Sequence, residues 1–77
     1  MKELVLYSRP GCHLCENLLE ELLPLLRGRA GLREVNIDTD PALRAQFDVR
    51  VPVLAAGEDV ISEAFLDRDA VQAYLQR

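Results

Sequence analysis

Seventy-seven residues suit one small domain and leave no room for a second. A hydrophobic fraction of 49% beside 29% charged residues is that of a folded globular chain and excludes intrinsic disorder. Thirteen acidic against nine basic residues give a net charge of -4 with no local Lys/Arg run, which excludes a phosphate-backbone partner and with it nucleic acid.

Met1-Lys2-Glu3 runs straight into Leu4-Val5-Leu6-Tyr7, too short an apolar run for a signal-peptide core or a membrane span. A cytoplasmic location away from membranes is therefore expected. Glu3 to Tyr7 reads as a buried strand, and Ser8-Arg9-Pro10-Gly11 as the turn that delivers Cys12 to a helix start. Leu14, Leu18, Leu22 and Leu25, with Leu19, Leu23 and Leu26, form a broad apolar helix face, and Pro24 should bend or end that helix before Gly28. Leu32 to Ile37 reads as a second strand, joined to the first by a right-handed parallel crossover.

Asp40-Pro41 has the form of an N-cap followed by proline in the first helical position, opening a short helix whose Leu43 and Phe47 share a face. Val51 to Ala55 and Asp59 to Ser62, joined through Ala56-Gly57-Glu58, read as a hairpin. Asp67 then caps a last helix carrying Val71, Tyr74 and Leu75. The predicted order is βαβαββα, an α/β domain spanning residues 1–77 with a four-stranded mixed sheet flanked by helices.

The chain's two cysteines stand as Cys12-His13-Leu14-Cys15, directly after the first strand. At a helix start the first thiol lies among unpaired backbone N–H groups and the positive end of the dipole, both of which favour its thiolate. A staple closing so short a loop would constrain almost nothing. Zinc would need further ligands, and the chain's single histidine lies between the cysteines, so a metal site would have to be shared across a dimer. Glu16 follows Cys15 where haem attachment requires histidine. A working redox dithiol is the expected reading, with no resident metal or organic cofactor. The rivals are a non-catalytic binding module and a shared metal-binding dithiol at a dimer interface.

Arg9 and His13 are candidate tuners of the first thiol and candidate contacts to substrate, each with a plainer alternative as an exposed, solvated side chain. Tyr7 reads more readily as core packing at a strand end than as a wall of the site. Lowering a thiol from a pKa of ~8.5 to ~6 raises its thiolate fraction at neutral pH roughly thirtyfold, and a stabilised thiolate is also the better leaving group.

Tyr7-Ser8-Arg9-Pro10-Gly11-Cys12-His13-Leu14-Cys15 resembles the active-site segment of glutaredoxins and glutaredoxin-like proteins of the thioredoxin-fold superfamily. Val35-Asn36-Ile37-Asp38 and Val49-Arg50-Val51-Pro52-Val53-Leu54 are similar to that family's second strand and its cis-proline segment, so the resemblance spans nearly the whole chain. It implies that Cys12 is the nucleophile, Cys15 the resolving thiol, and Pro52 a cis residue whose neighbour Val51 offers backbone hydrogen bonds to substrate. It implies thiol–disulfide exchange with disulfide-containing proteins or low-molecular-weight thiols in cell redox homeostasis; a monomer is expected. Two positions depart from the pattern. His13 stands where proline is common, and Ser62-Glu63-Ala64 replaces a Gly-Gly pair, which would crowd and repel anionic glutathione and favour a thioredoxin-reductase-type donor.

Overall fold

A computed structural model describes residues 2–77. Its elements are β1 (Lys2–Ser8), α1 (His13–Leu26), β2 (Ala30–Asn36), a 3-10 turn (Ile37–Thr39), α2 (Pro41–Phe47), β3 (Val53–Ala56), β4 (Asp59–Glu63) and α3 (Arg68–Leu75). The expected order holds, with the short 3-10 turn added. The sheet runs β2-β1-β3-β4 and is mixed: β1 is parallel to β2 and antiparallel to β3, and β4 is antiparallel to β3.

Alternation along the central strands splits the core between the two faces of the sheet. Leu4 and Leu6 of β1 and Leu54 of β3 pack with Leu18, Leu22 and Leu26 of α1 and Val71 of α3. On the opposite face Val53 packs with Ile37 and Phe47, joined by half-buried Tyr7, Leu43 and Val51. The Tyr7 ring stacks on Phe47 with centroids 4.4 Å apart, the packing role anticipated for it. Three layers result, and among the described residues no helix is long and apolar enough to cross a membrane.

Several boundaries move for identifiable reasons. The buried stripe of α1 is Cys15, Leu18, Leu22 and Leu26. Leu14 and Leu23, counted within a broader face by periodicity, are 39% and 50% exposed. α1 continues two residues past Pro24, whose side chain is exposed. The missing donor therefore costs a bond on the solvated side, while buried Leu22 and Leu26 anchor the last turn. Ile37 leaves the second strand because the Asn36 side chain accepts the Asp38 amide at 2.9 Å and starts the 3-10 turn.

The third strand begins at Val53 rather than Val51. Val51 N–H turns back to the Phe47 carbonyl at 3.2 Å, and Pro52 has no amide donor for a ladder. Asp40 and Asp67 cap α2 and α3 as expected, accepting the amides of Ala42 and Ala70 at 2.9 and 3.0 Å.

Candidate active site

Tyr7 of β1 pairs with Val53 of β3, and Val53 pairs with Glu63 of β4. The loop leaving β1, the segment entering β3 and the end of β4 therefore emerge at one edge of the molecule. Gly11 turns the first of these loops with φ +75, a conformation that disfavours other residues, and Cys12 follows as the N-cap of α1. Cys12 Sγ accepts the Cys15 amide at 3.1 Å, and its carbonyl accepts the Glu16 amide at 3.1 Å.

Cys12 and Cys15 are joined in a disulfide, with Cα atoms 5.2 Å apart, inside the usual range of about 4.4–6.8 Å. Their environments differ. Cys12 is half-buried, while Cys15 is 5% exposed and belongs to the buried stripe of α1. Only the first sulfur combines access from outside with a backbone donor at a helix terminus.

The Val51-Pro52 peptide bond is cis, as the resemblance implied. Pro52 is buried, and its carbonyl accepts the Ala64 amide at 2.8 Å. Ala64 itself has φ +63, an uncommon conformation for a residue with a Cβ. A groove of about 260 Å³ opens beside the first turns of α1, with Leu14, Ala64 and Phe65 in its walls; Phe65 is 72% exposed.

Arg9 spans the site's edge instead of lying free in solvent. Its guanidinium donates to Asp38 Oδ1 at 2.7 Å, Asp48 Oδ1 at 2.9 Å and the Asp48 carbonyl at 3.2 Å, tying the β1–α1 loop to the 3-10 turn and the end of α2. The hydrogen bond from Arg9 holds Asp38 below the ordinary carboxylate pKa, and the bond to Asp38, followed by that to Asp48, raises Arg9. His13 opens α1 with its side chain 94% exposed and Nδ1 3.6 Å from Glu16 Oε2.

Sequence reasoning missed Arg50. Its guanidinium grips Glu63 through two nitrogens, Nε to Oε2 at 3.2 Å and Nη2 to Oε1, and lies 5.3 Å from the Phe47 ring centroid. The negative charge expected to repel glutathione is thus paired. The hydrogen bond from Arg50 lowers the Glu63 pKa, while that to Glu63 raises Arg50.

Both depressed carboxylates make the same acid prediction. A carboxyl held below its unfolded pKa contributes stability that is complete above the ordinary values, 3.8 for Asp38 and 4.5 for Glu63, and is lost as the pH falls through the lowered ones. Because the Arg50–Glu63 pair is exposed, thermal melts of the parent chain and Glu63→Gln should differ only slightly near neutrality, and that small margin should vanish as the pH falls below 4.5. A margin independent of pH would refute the ionic contribution.

The profile of the Glutaredoxin-like domain (DUF836) family matches residues 3–76. The chain belongs to this glutaredoxin-like family. A structural neighbour, protein Ne2328 from Nitrosomonas europaea, is 41% identical, with 95% of this chain and 89% of that one covered and a TM-score of 0.82. Protein XcR50 from X. campestris is 34% identical over 95% of each chain, TM-score 0.73. A mutant thioredoxin from Halobacterium salinarum is 25% identical, with 96% of this chain and 71% of that one covered, TM-score 0.62. No match was found among the curated proteins. The glutaredoxin-like domain thus has a thioredoxin fold, with its cysteine pair at the helix start that follows β1.

Proposed function

We propose that this glutaredoxin-like chain is a thiol–disulfide oxidoreductase that reduces protein or low-molecular-weight disulfides in the cytoplasm. The observation carrying this reading is the asymmetry of the dithiol: Cys12 is half-buried at a helix N-cap with a donor on its sulfur, and Cys15 is buried behind it within bonding reach. Cys12 thiolate attacks a substrate disulfide, forming a mixed disulfide and expelling one substrate thiolate. Cys15 thiolate then attacks Cys12 Sγ, expels the second substrate thiolate and leaves the intramolecular disulfide. Two electrons pass to the substrate, and an external dithiol or thiol donor restores the pair. Val51, beside Pro52, offers its carbonyl to an extended substrate, with Arg9 and His13 at the edges of the surface.

Equilibration with thiol–disulfide buffers, read by intact mass, should give one two-electron couple between roughly -200 and -270 mV, the range of glutaredoxins and thioredoxin. A couple well below about -300 mV would identify a structural bridge instead. For the donor, the favoured reading is a thioredoxin-reductase-type protein over glutathione. Arg9 and Arg50 are both engaged by carboxylates, and Ala64 adds a Cβ where the family pattern has glycine. Coupled assays should show faster turnover with the reductase; faster turnover with glutathione would reverse the assignment.

A further inference from the structure

The Val51-Pro52 segment lies outside the sheet ladder, since β3 starts only at Val53. Three sets of contacts hold it. The amides of Arg50 and Val51 both donate to the Phe47 carbonyl, at 2.8 and 3.2 Å. On the dithiol side, Arg9 grips the carbonyl and carboxylate of Asp48. On the β4 side, the Ala64 amide donates to the Pro52 carbonyl, and the Arg50 guanidinium meets both oxygens of Glu63.

We propose that Arg50 and Glu63 are positioning residues for disulfide exchange, a charged fork that fixes the Val51-Pro52 segment against the end of β4 and so sets where a substrate strand lies relative to Cys12. The proposal rests on the oxidoreductase reading above. Neither residue touches reacting atoms. A planar guanidinium engaging both carboxylate oxygens restricts rotation of the segment that carries it, which a single-point lysine contact would not do. The side chains are 38% and 41% exposed, so the pair adds little to global stability and its loss should be felt locally.

Arg50→Met, Glu63→Gln and the double variant separate this role from a general structural one. In each single variant the amides of Arg50, Val51 and Ala64 should exchange with solvent roughly two- to fivefold faster, while Leu4 and Leu6 in β1 stay unchanged. The double variant should match the singles, because each acts through the other. KM for a protein disulfide should rise with kcat little altered, and the pH profile of Cys12 alkylation should not move.

Unchanged exchange at the three amides, an equal rise at Leu4 and Leu6, additive effects in the double variant, or an unaltered KM in an active enzyme would each overturn the proposal. An inactive parent chain would remove the oxidoreductase reading and the positioning role with it. Hydrogen exchange would still report separately whether the fork orders the segment.

Discussion

Cys12→Ser should abolish disulfide reduction, lowering turnover by at least about 10³-fold, the scale expected when a nucleophile is removed. Serine preserves the N-cap geometry, since its oxygen can accept the Cys15 amide as Cys12 Sγ does. The loss would therefore report chemistry rather than unfolding. Cys15→Ser should behave differently: Cys12 still attacks, and without a resolving thiol the mixed disulfide accumulates. Intact mass after a single addition of substrate should show one adduct, equal to the substrate thiol less two hydrogens. Turnover by Cys12→Ser together with adduct formation at Cys15 would exchange the two roles.

Leu22→Ala carries the largest expected effect on folding. Leu22 is fully buried in the middle of α1, between the Leu18 and Leu26 contacts that dock this helix on β1 and β3. Truncating such a leucine costs about 2–5 kcal/mol, and a core in a chain of this size supplies only ~3–5 kcal/mol. The variant should be largely unfolded at room temperature, or melt roughly 10–30 °C lower if the parent is more stable than that range. Leu23→Ala, one residue along and 50% exposed, should change stability by no more than about 0.5 kcal/mol. Circular dichroism during heating distinguishes them, and equal losses would contradict the burial pattern.

That contrast marks the limit of reading this chain by pattern. Periodicity identified α1 and its leucines, because hydrophobic spacing is local information. It could not separate Leu22 from Leu23, because the sheet lies on only one side and the helix turns about 100° between neighbours. The dithiol and its helix start were legible from Cys12 and Cys15 alone, since spacing places both thiols within one turn. Pro52 required the family resemblance, because most X-Pro bonds are trans and nothing local distinguishes this one.

The Arg50–Glu63 fork was hidden by strand register. β3 and β4 are offset between Leu54 and Ala55, which brings Val53 opposite Glu63. Simple counting back from the Ala56–Asp59 pair would have set Val53 opposite Ser62, and a one-residue slip reverses which face a side chain occupies. Arg9 illustrates a related limit. Its acidic partners lie 29 and 39 residues away, so only the folded chain reveals that its charge is spoken for.

The strand order has one more effect, on how copies of the chain meet in a crowded solution. β2 and β4 form the two open margins of the sheet, where unpaired backbone groups can recruit a neighbouring chain. Arg33 and Glu34 interrupt β2, and Asp59 and Glu63 bound β4, so neither margin offers more than three uncharged residues in succession. A second chain adding itself there would have to bring its own strand against fixed charges, and the offset in β4 spoils a regular ladder besides. Strand-by-strand growth into aggregates is thereby opposed at both ends of the sheet, by residues that contribute nothing to the core.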